Sequence, residues 1–85
     1  MTKQEVVATL AEMISDVLGG TVFDITEASS FQEDLEFKSI QFIALAELIQ
    51  ERYPDVDFVT WISAMELPQV LALRVGDVAD LVVGS

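Results

Sequence analysis

Val6, Val7, Leu10, Ile14, Val17 and Leu18 recur at three- and four-residue spacing, and this period ties the start of the chain to an amphipathic helix. A strand would scatter the same six side chains over both faces, whereas a helix gathers them on one. The spacing predicts a helix over residues 3–18. Thr2, with Glu5 three positions on, matches a capping box, and Gly19-Gly20 supplies the stop. A second stripe, Phe42, Leu45, Ala46, Ile49 and Tyr53, predicts a helix over 39–53. Ser39 is expected as its N-cap and Pro54 as its terminator.

Between these helices, residues 21–38 hold no sustained period. Phe23 and Ile25 alternate with polar residues, and Ala28-Ser29-Ser30 reads as a turn. Phe31, Leu35 and Phe37 are too apolar for a solvated linker, so the long loop is expected to fold back on the helices. Beyond Pro54, Asp57 is placed to cap a short helix over 59–65, and Pro68 suits the first turn of another over 69–73. A last helix should begin near Val75-Gly76-Asp77, with Val78, Leu81 and Val82 facing inward. No strand alternation, internal repeat or domain boundary competes. The expected architecture is an all-α bundle of four or five helices, one domain over residues 1–85.

Eighty-five residues with 52% apolar content suffice for one small core. No apolar run approaches the ~20 residues of a bilayer span, and Met1-Thr2-Lys3 leads straight into periodic sequence. Neither a signal peptide nor a membrane helix is expected. The chain has no cysteine and no histidine. Disulfides and thiolate metal sites are thereby excluded, which fits the cytoplasm. The usual nucleophile-plus-base pairs of an enzyme cannot be assembled, so any reactive group must come from a partner or a bound cofactor. Fifteen Asp and Glu against four Lys and Arg give a net charge of −11. That field disfavours nucleic acid and anionic membranes, favours partners with basic patches, and argues for a monomer.

The run Asp34-Leu35-Glu36-Phe37-Lys38-Ser39-Ile40 places one serine between an acidic loop and the strongest helix. As a cap, Ser39 is ordinary. Yet a helix start also offers unpaired N–H groups and partial positive charge, so a phosphate esterified to this serine would sit in a favourable field beside Lys38. Opposite the core stripe, the helix carries Ile40, Ile43, Ala44, Glu47 and Glu51, with Gln41 and Leu48 at the edge. Such a mixed apolar and acidic face suits a transient protein partner, unless the long loop or the Trp61 segment covers it. Glu33, Asp34 and Glu36 fit no EF-hand spacing and read as a solvated acidic loop. Phe58, Trp61 and Met65, at helical spacing, read as core or pocket lining, and Arg74 as a surface or capping residue.

This motif, followed by a helix ending in Tyr53-Pro54, resembles the acyl carrier proteins. The likeness extends to the opening helix, the long first loop and the closing segment Leu73-Arg74-Val75-Gly76-Asp77-Val78. It implies a four-helix bundle that holds acyl groups as thioesters on a 4′-phosphopantetheine arm. Ser39 matches the residue that bears the arm. Ile40, Ile43, Ala44, Glu47 and Glu51 match the positions gripped by partners: a phosphopantetheinyl transferase, and acyl-transferring and condensing enzymes with basic patches. The resemblance also implies that the bundle partly shields the cargo, between the second helix and the 58–73 region.

Three departures stand out. Lys38 precedes the serine where the family usually has an acid, which leaves open which transferase accepts the protein. Gln41 and Ala44 occupy positions that are commonly acidic, shifting recognition toward aliphatic contact and toward Glu33, Asp34, Glu36, Glu47 and Glu51. Residues 59–73 extend the family's short third helix, and Trp61, Met65, Pro68 and Leu71 there would enlarge the pocket or form a pathway-specific surface. These features point to fatty acid, polyketide or another specialised biosynthesis, with the tilt toward a specialised pathway. The competing reading is an acidic helical module that carries nothing and binds a basic partner.

Overall fold

A computed structural model describes residues 2–20 and 24–84. Phe23, and the alternation expected of it, lies outside the described residues. Among the described residues five helices follow in order: α1 (Lys3–Val17), α2 (Ser39–Arg52), α3 (Phe58–Ser63), α4 (Leu67–Leu71) and α5 (Val75–Val83). The all-α expectation holds, and α3 and α4 are the two short helices expected after Pro54. None of the described helices is long and apolar enough to cross a membrane.

α1 starts where the Thr2 hydroxyl accepts the Glu5 N–H at 3.2 Å. It ends where Gly19 and Gly20 take φ values of 82° and 77°, a region that a Cβ disfavours. Val6, Leu10, Met13 and Ile14 are its buried residues. Met13 thus joins the stripe read from the sequence, whereas Val7, Val17 and Leu18 are half-buried at its margin. The core is completed by Leu45, Ala46 and Ile49 of α2, Phe58 of α3, and Val75, Val78, Ala79 and Val82 of α5. α1 packs chiefly on α5 and α2, and α2 on α3. Lys3 adds an exposed tie, its Nζ 3.0 Å from Asp80 of α5 and 3.8 Å from Glu27 of the loop. The hydrogen bond to Asp80 raises the Lys3 pKa, although so exposed a pair adds little to stability.

The long loop is structure, as its aromatics required. Phe31, Leu35 and Phe37 are buried. Three backbone bonds stitch the loop to the start of α5: Phe31 N–H to the Leu73 carbonyl at 3.1 Å, Val75 N–H to Ser29 at 3.0 Å, and Gly76 N–H to Glu27 at 2.8 Å. Ser30 and Arg74 form an isolated antiparallel bridge, and the Arg74 guanidinium donates to the Ala28 carbonyl at 2.9 Å. The approach is close enough that a Cβ on Gly76 would lie 2.9 Å from the Glu27 carbonyl oxygen, so no larger residue fits there unchanged.

Candidate functional site

Three phenyl rings hold the start of α2 in place. Phe31, Phe37 and Phe42 meet pairwise, with centroids 5.0–5.4 Å apart, joining the loop before the helix to its first turn. Between buried Leu35 and Phe37, Glu36 takes φ 51°, so both neighbours turn inward while its own carboxylate stays in solvent. The Phe37 N–H donates to the Phe31 carbonyl at 2.8 Å and closes this turn. Asp34 has a structural duty as well, since its carboxylate accepts the Ser30 N–H at 2.7 Å. Glu33 is exposed, and the Ser30 hydroxyl accepts its N–H.

Ser39 is not the N-cap. Lys38 occupies that position, and the Gln41 side-chain oxygen accepts the Lys38 N–H at 2.7 Å. The sequence signal was available: a Gln three residues beyond the cap is the returning half of a capping box. With the cap supplied by Gln41, Ser39 becomes the first helical residue. It is exposed, and its hydroxyl makes no hydrogen bond to the described residues. The Lys38 carbonyl accepts the N–H groups of Gln41 and Phe42, whereas those of Ser39 and Ile40 find no protein acceptor among the described residues. The hydroxyl therefore stands beside two open donors at the positive end of a 14-residue helix. Lys38 itself is exposed.

The other described serines are worse placed for modification. Ser30 is buried, and Ser15 and Ser29 are half-buried. Ser63 is exposed but ends α3, where the helix field is unfavourable to an anion.

The outward face of α2 is open. Ile40 is 73% exposed and Ile43 62%, so neither the long loop nor the Trp61 segment covers them. Ala44, Glu47 and Glu51 gather around a shallow hollow of about 440 Å³, shared with Leu48 and with Asp16 and Val17 of α1. Ile40 and Ile43 stand apart from that hollow, toward Ser39. A second hollow, of about 540 Å³, has Trp61 of α3, Met65 of the turn after it, Gln69 of α4, Ala72, Leu73, and Asp77, Asp80 and Leu81 of α5 around it. It opens toward α5, with no α2 residue in its wall. Pro68 and Leu71 lie outside it, and Trp61 packs on buried Phe58 with centroids 5.9 Å apart.

Comparison with known proteins gives relatives of one kind. A meromycolate extension acyl carrier protein of Mycolicibacterium smegmatis is 33% identical over 60 residues, covering 66% of this chain and 61% of that protein. The protein of the same name from Mycobacterium leprae is 33% identical over 61 residues, covering 67% and 53%. That from Mycolicibacterium aurum is 33% identical over 60 residues, covering 66% and 62%. The matched stretch thus spans between half and two thirds of these relatives. No family profile matches the chain, and no solved structure does.

Proposed function

The chain belongs to the acyl carrier protein family, and from that premise we propose that it carries acyl groups between the enzymes of a lipid-related biosynthesis. Ser39 is the attachment point for 4′-phosphopantetheine, whose terminal thiol supplies the thioester chemistry that a chain without cysteine lacks. The residues around Ser39 fit such a group. The free hydroxyl is accessible, the open N–H groups of Ser39 and Ile40 and the Lys38 ammonium favour a phosphodiester, and the ring trio holds the turn still. The observation that carries the reading is the exposed Ser39 hydroxyl, relieved of capping by Gln41.

Ile40 and Ile43 provide apolar contact for the transferase and for acyl-transferring and condensing enzymes. Ala44 leaves room for close approach, and Glu47 and Glu51 steer basic partner patches. The protein works as a monomer in the cytoplasm. Relatives named for meromycolate extension support an acyl cargo that is extended while it is carried.

Incubation with coenzyme A, magnesium and several phosphopantetheinyl transferases, followed by intact-mass measurement, tests this. The native chain should gain one phosphopantetheine, and Ser39→Ala should gain none while keeping its helical circular dichroism. A mass unchanged with every transferase would favour the second reading, an acidic module that carries nothing; Lys38 in place of the family's acid is the feature that supports it.

A further inference from the structure

Of the chain's four cations, Lys3 is paired with Asp80, Arg74 donates to the Ala28 carbonyl, and Arg52 stands in the last turn of α2. Lys38 is the fourth. It is exposed, and the salt bridges among the described residues do not include it. From Phe37 to Ala46 it is also the only charged side chain. The flanking carboxylates are Glu36, which precedes buried Phe37, and Glu47, about 12 Å along the helix from Ser39. A single positive charge thus adjoins the Ser39 hydroxyl in a protein of net charge −11. On the carrier reading, on which the role assigned to Lys38 below rests, modification of Ser39 brings a polyanion to this spot. Coenzyme A, the donor of the arm, carries a diphosphate and a further phosphate. Charges more than about 8 Å away are largely screened at physiological salt, so near neighbours set the field that the diphosphate meets. The acidic surface repels it, and Lys38 attracts it.

We propose that Lys38 is a phosphate-contacting residue in the loading of its own chain: its ammonium pairs with the phosphate that Ser39 attacks, and holds the same phosphate after transfer. In that step the Ser39 oxygen bonds to the phosphorus that bears pantetheine. The bond from that phosphorus to the bridging oxygen breaks, and 3′,5′-adenosine bisphosphate departs with the electron pair. The serine proton passes to a base of the transferase. Negative charge shifts among the phosphoryl oxygens as the bonds exchange, and an adjacent cation lowers the barrier. Lys38 thereby supplies from the carrier a charge that the transferase would otherwise provide, and it selects transferases with little positive charge at this contact.

Loading from coenzyme A is followed by intact mass, with the transferase that gives the native chain its highest rate. Lys38→Gln should lower kcat/KM for coenzyme A by about tenfold, the worth of one hydrogen bond between charged groups, and Lys38→Asp should lower it further. Lys38→Arg should stay within about threefold of the native chain. Arg52→Gln removes the same charge about 20 Å along the helix and should change the rate by less than about twofold. In a second measurement, phosphoserine is installed at position 39 during translation, so that no transferase is needed, and its phosphate is titrated by phosphorus NMR. The second ionisation of phosphoserine, ordinarily near pH ~6, should be depressed. Lys38→Gln should raise it by about 0.5 pH unit, and Arg52→Gln should leave it in place. A Lys38→Gln chain loaded as fast as the native one would overturn the role of Lys38. So would a phosphate whose titration ignores Lys38, even where loading falls, since a carboxylate of the transferase would then be what reads the lysine. A native chain that no transferase loads would overturn the carrier reading itself, and the role of Lys38 with it.

Discussion

α5 and α4 begin alike and diverge at once. In each, the side chain three residues into the helix turns back to accept the N–H of the capping residue: Asp77 for Arg74 at 3.0 Å, and Gln69 for Glu66 at 3.0 Å. Both helices are rich in aliphatic residues. Yet α5 buries Val75, Gly76, Val78, Ala79 and Val82, five of its nine residues, and α4 buries none. Capping chemistry starts a helix; it does not decide where the helix goes. α5 is held by the loop bonds at Val75 and Gly76 and by its contact with α1, whereas α4 hangs between α3 and α5 on its own caps. The same cap at Lys38 and Gln41 starts α2, which combines both outcomes: Leu45, Ala46 and Ile49 inward, Ile40 and Ile43 outward.

This contrast can be broken by mutation. Val78→Ala on α5 should cost about 1.5–3 kcal/mol of unfolding free energy in urea, through lost burial and the cavity left behind. Gly76→Ala should cost about 1–3 kcal/mol, because the new methyl meets the Glu27 carbonyl backbone; the Lys3 to Glu27 contact should loosen with it. Gln69→Ala should cost no more than about 1 kcal/mol and should melt α4 alone, read as faster amide exchange from Leu67 to Leu71 with α5 unchanged. Leu71→Gln should fall within about 0.5 kcal/mol of the native chain. A cost at Leu71 as large as that at Val78 would show that α4 packs against the body after all.

The smallest effect concerns acid. The Asp57 carboxylate accepts the Thr60 hydroxyl at 2.7 Å and the Thr60 N–H at 3.1 Å, and these bonds lower its pKa below the ordinary value of 3.8. The stabilisation of α3 that they provide is present above 3.8 and is lost as pH falls through the lowered value. Fraying of α3, followed by the amide signals of Thr60 and Trp61, should therefore begin only below that ordinary value, and Asp57→Ala should fray it at neutral pH.

Periodicity makes α1, α2 and α5 legible in the sequence, because each carries a stripe buried in the common core. The two short helices were placed less well. α3 runs from Phe58 to Ser63, just ahead of the range the spacing predicts, and α4 from Leu67 to Leu71 starts two residues earlier than expected. Neither is long enough to show a period. The loop's burial was legible in Phe31, Leu35 and Phe37, but its bridge to Arg74 was not, since a backbone pairing between residues so far apart leaves no local pattern. Gly76 carried a signal in retrospect, as a glycine beside the start of a helix where only close approach requires one. At the site, the sequence points to Ser39 but suggests the wrong cap, because a serine at a helix start is a stronger local signal than the Gln three residues past the lysine. Whether Ile40 and Ile43 stood open or covered needed the coordinates.

The most direct test of the central claim is where the arm is attached. After loading from coenzyme A, proteolysis and tandem mass spectrometry should place a single phosphopantetheine on the peptide containing Ser39, and phosphorus NMR of the intact protein should show one phosphodiester signal. Attachment at any other serine, or undiminished loading of the Ser39→Ala chain, would contradict the account.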